Sequence, residues 1–360
     1  MTTLYPPNPL SVDGSIVSIS SLAEHFYNVR AALTDSPSSS ASAYSLGGFH
    51  IRIQFGSELL REQISPAIDH LCDERDSETA LTVFLHDHFS APAAGSLVSS
   101  RNYSTDETET WLMDDSDVTL ILQQQGRLVS LLDWGRNAAH WLISDATSIP
   151  YLERAEPLRA ILSYWLARRE RYLIHGAAVG NSNGGVLIIG HGGAGKSTTA
   201  LACLDAGLEY VGDDHCLLSR EGTPSVHSIC GTAKLAVSDL NRFPSLVSAA
   251  ETNGRPVDEK MVLFLARLPG SRLSRSFPLR AILLLRIADS RRSRLHRVGE
   301  AEGFKALAPS CALHFPATRS QALRCFSSVS RKLPTYILEL GSEIDSGPRV
   351  IRELLDRHAN

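Results

Sequence analysis

The most constraining feature of the sequence is a glycine-rich run that stands between an apolar segment and a helix-like one. The run reads GHGGAGKS, occupies residues 190–197 and directly follows the apolar residues 186–189. Glycines let successive backbone N–H groups point at one anion, and the N-terminus of the helix that follows adds partial positive charge. The pattern therefore predicts a cradle for the phosphates of a nucleotide, rather than an ordinary glycine turn that begins a helix.

Each polar position of this run has an expected task. Lys196 is expected to reach the β- and γ-phosphates, and the Ser197 hydroxyl is expected to bind Mg²⁺. His191 could contact phosphate, although this variable position of the pattern often carries an unrelated side chain. The predicted cofactors are ATP and Mg²⁺, and the predicted nucleotide-binding residues are Gly190, His191, Gly192, Gly193, Ala194, Gly195, Lys196, Ser197 and Thr198.

Two adjacent aspartates follow one helix later. Asp213 and Asp214 stand at the carboxyl end of the strand-like residues 208–211, one residue further on, and the carboxyl ends of strands are where open α/β sheets bind ligands. One carboxylate could hold a metal ion while the other accepts the proton of an incoming hydroxyl, which are two roles that a kinase needs. The alternative is a turn with two exposed acids.

With 360 residues the chain is long enough for two domains, because a single hydrophobic core rarely extends over more than about 300 residues. From His175 onward, strand, loop, helix and strand follow one another, which predicts an α/β core with a mixed sheet and flanking helices. Before it, alternating apolar runs predict a mostly antiparallel β-rich (α+β) domain over residues 1–150. Residues 151–172 are predicted to form a connecting helix that begins near Pro157, and residues 173–360 to form the catalytic domain.

Finer expectations concern the N-terminal part. The Ser-rich residues 35–45 are predicted to form a flexible loop, because their composition buries little apolar surface. Residues 59–71 are predicted to form a helix that breaks or kinks near Pro66. Residues 125–127 and 135–137 are predicted to be hairpin turns.

Composition excludes some classes of protein. No apolar run approaches the ~20 residues that cross a bilayer, and the N-terminus lacks an export signal, so a cytoplasmic location is expected. The formal charge of −4 gives no general reason to expect nucleic acid as a partner. Residues 255–297 hold eleven Lys or Arg against three acids, and this stretch is either a solvated face or a patch for phosphate or an acidic peptide.

The residues from Leu173 to Leu218 resemble the catalytic domain of the HPr kinase/phosphorylase family, and among its relatives the HPr-kinase-like enzymes that accompany lasso-peptide biosynthesis. The resemblance rests on three motifs in order: His175-Gly176, the run at residues 190–197, and Asp213-Asp214. It implies a P-loop kinase core of the HPr-kinase type. It further implies that Asp213 is the metal-side carboxylate, that Asp214 is the general base, and that His175 orients or tunes that base.

The sequence departs from the family after this core. Kinase/phosphorylase members carry a glutamate-containing signature rich in Arg-Gly, where this chain has Cys230-Gly231-Thr232-Ala233-Lys234. The expected reaction is therefore phosphorylation of a Ser or Thr hydroxyl on a small peptide or protein, such as a ribosomally made precursor peptide. Lys234 and Lys260 are candidates for the additional cation that stabilises the transferred phosphoryl group.

Three other functions stay open at this stage. The same core could phosphorylate a small molecule such as free serine, or serve an ATP-gated regulator that transfers no phosphate. A nucleic-acid role would rest on the basic stretch alone. The N-terminal domain is expected to recognise the acceptor, no membrane partner is expected, and self-association is left open.

Overall fold

The computed structural model describes residues 40–87, 110–114, 117–123, 128–250, 260–314 and 316–357, and short strands at Thr2–Thr3, Ser11–Val12 and Ser15–Ile16. These residues belong to two compact units. Unit 1 comprises residues 1–65 and 72–165, and unit 2 comprises residues 66–71 and 166–360. The functional domains predicted with boundaries near residues 150 and 172 stay a prediction. No helix in the described part of the chain is long and apolar enough to cross a membrane.

Unit 1 is built on one eight-stranded sheet. The elements are β1 (Ser40–Leu46), β2 (Phe49–Phe55), α1 (Glu58–Ile68), β3 (Leu81–His86), β4 (Thr110–Asp114), β5 (Val118–Gln123), β6 (Leu128–Asp133) and β7 (Ala138–Ile143). The order in the sheet is Thr2–Thr3, β4, β5, β6, β7, β3, β2 and β1. The predicted apolar runs all form strands, and β6 and β7 are buried along their whole length.

This sheet is mixed, whereas the sequence predicted a mostly antiparallel one. Strand β3 runs parallel to both of its neighbours, β2 and β7. A parallel neighbour in the same sheet requires a crossover connection, and α1 supplies it between β2 and β3. A run of alternating residues reports which face is buried but not the direction of the strand beside it, so periodicity could not have revealed the parallel pairs.

Within unit 1, the Ser-rich segment differs most clearly from the structure that was predicted for it. Residues 40–46 are not a loop but strand β1, which pairs antiparallel with β2 over its full length. Ser42, Tyr44 and Leu46 alternate as its buried positions, so the serines that suggested a loop occupy positions on a regular strand. Residues 35–39 and the predicted turn at 125–127 lie outside the described residues. The predicted turn at 135–137 is present, with Asn137 at a φ of 48°.

The predicted connecting helix is two helices. Helix α2 (Tyr151–Ala155) ends before Pro157, and α3 (Arg159–Ala167) begins after it. Leu158 separates them with a φ of 60°, a left-handed conformation that interrupts a helix. Helix α1 continues through Pro66 and is followed by a 3₁₀ turn at Asp69–Leu71, and a second 3₁₀ turn in this part of the chain is Ala146–Ser148.

Unit 2 contains a nine-stranded mixed sheet and a two-stranded ribbon. The strands of the main sheet are β8 (Arg171–His175), β9 (Ala177–Asn181), β10 (Gly184–Ile189), β11 (Glu209–Gly212), β12 (His215–Ser219), β13 (Ser225–His227), β16 (Ser276–Ile287), β17 (Arg294–Val298) and β18 (Thr335–Leu340). The ribbon is β14 (Thr232–Ala236) and β15 (Lys260–Phe264), which pair with each other. Helices are α4 (Lys196–Asp205), α5 (Glu300–Leu307), α6 (Pro316–Lys332) and α7 (Ser346–Asp356), and 3₁₀ turns are Val237–Arg242, Pro244–Ala249, Leu265–Arg267 and Ala308–Leu313.

The sheet of unit 2 is covered on both faces. Along β10, Val186 and Ile188 pack into a core with residues of α4 and α7, whereas Leu187 and Ile189 pack into a second core with residues of α6. Successive side chains of a strand point to opposite faces, so a central strand with helices on both sides must be apolar throughout. This confirms a mixed sheet with flanking helices, as the α/β pattern predicted.

Three parallel strands place the candidate site at one edge of the sheet. Strand β10 runs parallel to β16, and β16 runs parallel to β18. The carboxyl ends of these strands therefore lie at the same edge, and the glycine-rich run leaves the sheet there, directly after Ile189.

Candidate active site

The glycine-rich loop has the backbone that its sequence predicts. Gly193 and Gly195 have φ values of 79° and 92°, in the left-handed region that side chains disfavour. Gly190 is needed for space, because a Cβ there would lie 2.9 Å from the Cβ of Ala194. Helix α4 then begins at Lys196 with Gly195 as its N-cap. The loop thus leads from a buried strand directly to the N-terminus of a helix, which is the arrangement that binds phosphate.

Lys196 is folded over the loop. Its Nζ donates hydrogen bonds to the carbonyl oxygens of Gly190 at 2.8 Å and His191 at 3.3 Å. Burial lowers the pKa of Lys196, while the charges of Asp213 and Asp214 act to raise it. The lysine is therefore within electrostatic reach of both aspartates, so the structure brings together the cradle and the carboxylates that follow one helix later.

Asp213 is a buried carboxylate. It is 2% exposed, and neither of its oxygens has a hydrogen-bond partner at good geometry among the described residues. Burial raises the pKa of Asp213, and the Ser197 hydroxyl is close enough to act in the opposite direction. A buried carboxylate without a partner is costly unless something compensates it. Two oxygen donors, a carboxylate and a hydroxyl, beside a phosphate loop fit Mg²⁺, so Ser197 and Asp213 suit the predicted metal role.

Asp214 has its carboxylate shared between two basic side chains. Its Oδ2 accepts a hydrogen bond from Lys234 Nζ at 2.6 Å, and its Oδ1 lies 3.2 Å from His175 Nδ1. Burial acts to raise the pKa of Asp214, but the hydrogen bond from His175 and the charge of Lys234 outweigh it and hold the pKa well below its usual range. The backbone has a φ of 68°, a conformation that Asp and Asn adopt more readily than most residues. Asp214 is thus an ionised and oriented carboxylate.

The aspartates lie in the short connection between β11 and β12, and hydrogen bonds of the main chain fix that connection. The His215 N–H donates to the carbonyl of Asp213 at 2.8 Å, and the Gly176 N–H donates to the carbonyl of Asp214 at 3.2 Å. His175 is at the end of β8 and pairs directly with His215 in β12. The His-Gly pair and the aspartate pair are therefore neighbours across two strands.

Gly176 follows His175 at a place where no side chain fits. A Cβ at Gly176 would lie 2.8 Å from the Ile188 carbonyl oxygen and 2.6 Å from Ile189 Cδ1, which are part of the strand that leads into the phosphate loop. The close approach of backbone to backbone explains why a glycine accompanies the histidine.

Replacement of this glycine gives a stability prediction. We expect Gly176→Ala to lower the free energy of unfolding by about 1–3 kcal/mol, because the extra methyl group forces a buried strand to move. Gly192→Ala is the matched control, since a Cβ at Gly192 meets nothing within 4 Å. Thermal and urea unfolding measure both. Equal free energies of unfolding for the two variants would show that β10 can move away from a side chain at position 176 without loss of stability.

Lys234 and Lys260 belong to the two-stranded ribbon. Ala236 pairs directly with Lys260, and Lys234 is two residues before Ala236, so both lysines lie on the same face of the ribbon. Lys260 is near enough to Lys196 for its charge to act on the pKa of that residue. The structure thus brings both tentative cations to the site, and their assignment to the phosphoryl group stays a prediction.

The remaining loop residues have less definite positions. His191 is exposed, and its Nδ1 is 2.7 Å from the carbonyl oxygen of Gly192, so its contact is with the loop itself. Thr198 is half-buried in the first turn of α4.

Sequence reasoning missed two residues that position the site. The Ser310 hydroxyl accepts a hydrogen bond from the backbone N–H of His175 at 3.0 Å, and the buried Tyr210 hydroxyl donates one to the carbonyl oxygen of Thr232 at 2.7 Å. Tyr210 thereby ties the strand before Asp213 to the ribbon strand that carries Lys234. Neither residue belongs to a motif, and Ser310 is 135 residues from His175, so no local signal could have indicated them.

Unit 2 is thus an α/β unit whose loop, paired aspartates and basic residues converge at one place. No protein-family model and no curated protein matches the chain. Among solved structures it is similar to the HPr(Ser) kinase/phosphatase from Coxiella burnetii, with 14% identity and a TM-score of 0.26, over 52% of this chain and 95% of that chain. This similarity is too distant to assign an activity, so the function must be argued from the site itself.

Proposed function

We propose that this protein is an ATP- and Mg²⁺-dependent kinase that phosphorylates a Ser or Thr hydroxyl of a small peptide or protein. The observation that carries the proposal is the pair of adjacent aspartates in two different environments beside Lys196. Asp213 is buried, and its carboxylate has no hydrogen bond of good geometry among the described residues, whereas Asp214 is ionised, a quarter exposed and oriented by the basic side chains of His175 and Lys234. Two carboxylates with different surroundings suit two different roles, a metal ligand and a proton acceptor.

The proposed mechanism assigns one task to each residue. The N–H groups of the loop and the Lys196 ammonium would hold the phosphates, and Ser197 and Asp213 would hold Mg²⁺. The bound ion would offset negative charge on the phosphates. Asp214 would accept a hydrogen bond from the acceptor hydroxyl and take its proton as the oxygen–phosphorus bond forms and ADP leaves.

His175 and Lys234 keep the Asp214 carboxylate in one orientation in this scheme. A carboxylate with a low pKa is a weak base, but phosphoryl transfer has a loose transition state in which the nucleophile needs orientation more than deprotonation. The contacts of Asp214 therefore suit the reaction. In the same scheme the Lys234 ammonium group could leave the Asp214 carboxylate and stabilise negative charge on the transferred phosphoryl group.

The acceptor class rests on the resemblance to the HPr-kinase-like enzymes, and the precursor peptide of a ribosomally made product is the acceptor we propose. Recognition of that peptide by the N-terminal domain is part of the same proposal. The protein would act in the cytoplasm, where ATP and newly made peptides are present.

A direct test uses the full-length protein, ATP, Mg²⁺ and the short peptides encoded beside its gene. We expect one peptide to gain about 80 Da, the mass of one phosphoryl group, on a Ser or Thr that tandem mass spectrometry locates. Parallel reactions contain free serine or omit Mg²⁺. A phosphorylated amino acid without any phosphopeptide would make the protein a small-molecule kinase. Binding of ATP without transfer to any acceptor would contradict the kinase assignment.

A further inference from the structure

Strand β17 forms an edge of the nine-stranded sheet, and the mechanism proposed above does not use it. It pairs antiparallel with β18 and, in the described part of the chain, with no other strand. No main-chain hydrogen bond from another described segment reaches its outer side. An edge strand presents a row of N–H and C=O groups on that side, and such a row can pair with a further strand.

The chain around this edge is strongly basic. Residues 286–298 hold five arginines and one acid, Asp289, and they are the densest part of the basic stretch noted in the sequence. One of the five, Arg291, has its Nε 3.9 Å from Glu343 Oε2, and the other four have no ion pair with a described residue. All five side chains are exposed: Arg286, Arg291, Arg292, Arg294 and Arg297.

Charged residues alternate in sign across the last three strands of the sheet. Glu339 of β18 pairs directly with Arg286 of β16 on one side and with Arg294 of β17 on the other. Side chains at directly paired positions are neighbours on one face, and opposite charges there are favourable. The next position in this row, beyond Arg294, is on the open side of β17. A carboxylate of an added strand would continue the alternation.

The Arg294 end of β17 lies close to the phosphate loop. Strand β18 ends at Leu340, whose Cδ1 would be 3.1 Å from a Cβ placed on Gly195 of the loop. Arg294 pairs with Glu339, the residue before Leu340. A peptide segment that extended β17 would therefore run toward the loop, and a residue just beyond the segment could reach the site.

A peptide suits this edge better than other polyanions do. A peptide backbone carries both donors and acceptors, so it can pair with the free N–H and C=O groups of β17. A phosphate backbone carries acceptors without N–H donors. A second copy of β17 would bring arginines next to arginines, and like charges on neighbouring strands are unfavourable.

We propose that an acidic, extended segment of the acceptor peptide binds along β17 as an additional strand of the sheet. The proposal rests on the proposed function in taking the bound peptide to be part of the acceptor, but the binding itself needs no phosphoryl transfer. Main-chain hydrogen bonds would provide affinity, and the arginines would provide the preference for acidic side chains. This docking surface is additional to the recognition that is proposed for the N-terminal domain.

The test measures peptide binding to the full-length protein without nucleotide. The probe is a fluorescein-labelled peptide of about ten residues in which Glu and Val alternate, and fluorescence anisotropy gives its Kd. Two comparison probes are the same peptide with a methyl group on every main-chain nitrogen, and a single-stranded DNA of equal charge. We expect the unmodified peptide to bind at least about tenfold more tightly than either, because only it combines the charge with main-chain donors.

A charge reversal on the strand locates the binding. Arg297→Glu should raise the Kd of the Glu-Val peptide about three- to tenfold, since it replaces an attraction between exposed charges by a repulsion. Arg297 pairs with Tyr336, so the new carboxylate has no acid directly opposite it in β18. Arg294→Glu is less suitable, because it would face Glu339 and disturb the strand itself.

Arg357→Glu is the matched control. It makes the same change of charge at an exposed arginine just after α7. The neighbouring Asp356 Oδ1 is 3.5 Å from Asn183 Nδ2, which precedes the start of β10 and so lies at the opposite edge of the sheet from the phosphate loop. This variant should leave the Kd of the Glu-Val peptide at the wild-type value.

Three binding results would overturn the docking surface. They are no measurable binding of the Glu-Val peptide, equal or tighter binding of the methylated peptide or the DNA, and an unchanged Kd in Arg297→Glu. The second result would mean that charge alone attracts the ligand, and the third that the peptide binds elsewhere.

A kinetic measurement separates this inference from the proposed function. For an acceptor peptide that becomes phosphorylated, Arg297→Glu should raise KM and leave kcat unchanged, whereas an unchanged KM would contradict docking along β17 and leave the kinase proposal intact. Binding of the Glu-Val peptide along β17 by a protein that phosphorylates no acceptor would support the docking surface and contradict the kinase.

Discussion

Lys196→Ala is expected to reduce kcat/KM for phosphorylation by at least about 10²-fold. The lysine is the cation at the centre of the loop, and its Nζ is already held there by the carbonyls of Gly190 and His191. Removal of one group that stabilises developing charge in a water-excluded site costs about 10²–10³ in rate, and loss of contacts with the bound phosphates adds to this. Steady-state kinetics with the phosphopeptide as product measure the effect.

Folding provides the control for this variant. Among the residues that the structure describes, the Lys196 ammonium donates hydrogen bonds only to loop carbonyls, so the far-ultraviolet circular dichroism of Lys196→Ala should match that of the wild-type protein. Lys305→Ala removes an exposed lysine of α5 that pairs with Glu302, and it should keep full activity. Retention of more than about a tenth of wild-type kcat/KM by Lys196→Ala would show that the loop is not the catalytic site, since that loss is below the usual effect of one such group.

Asp214→Asn is expected to lower kcat by about 10²–10⁴ with little change in nucleotide affinity, which is the usual contribution of a general base. Asn keeps the size of the side chain, and it also tolerates the φ of 68° that this position requires. The substitution therefore removes the proton acceptor and the negative charge between His175 and Lys234 without straining the backbone. Rapid-mix measurement of a single turnover separates this loss from slow product release.

Asp213→Asn should behave differently. The substitution removes a charged ligand from the proposed Mg²⁺ site. The Mg²⁺ concentration for half-maximal activity should therefore rise, and excess metal should partly restore the rate. The two roles are exchanged if Mg²⁺ rescues Asp214→Asn but not Asp213→Asn. A loss of less than about tenfold in Asp214→Asn would leave orientation of the hydroxyl as the main role of that residue, because a loose transition state needs little help from a base.

The elements that the sequence predicted well are those specified by short-range rules. The strand before the phosphate loop, the loop itself and α4 follow from one glycine pattern whose dihedral angles and spacing are local. The runs that became β2, β3 and β5 to β7 were also recognised, since each is a short apolar segment. Strand β1 was missed because Ser42 is small and polar, yet it is buried in a strand whose pairing with β2 overrides its composition.

The parts that the sequence did not predict depend on contacts between distant residues. The resemblance placed His175 near Asp214, but the hydrogen bonds from the His175 N–H to the Ser310 hydroxyl and from the Tyr210 hydroxyl to the Thr232 carbonyl belong to no pattern. The parallel neighbours of β3 and the left-handed Leu158 between α2 and α3 are likewise set by tertiary structure. A cavity of about 350 Å³ beside the phosphate loop is lined by residues that range from Gly193 to Pro348, and no short stretch of sequence could have indicated that they lie together.

The ribbon of β14 and β15 has a consequence for the electrostatics of the site. It carries both Lys234 and Lys260, and in the described part of the chain neither of its strands pairs with a strand of the main sheet. The two lysines are therefore mechanically linked, and a displacement of this ribbon would withdraw both positive charges at once. The net charge around the phosphates would then change by two units at once, so the position of this two-stranded ribbon would determine how strongly the site attracts a polyanion.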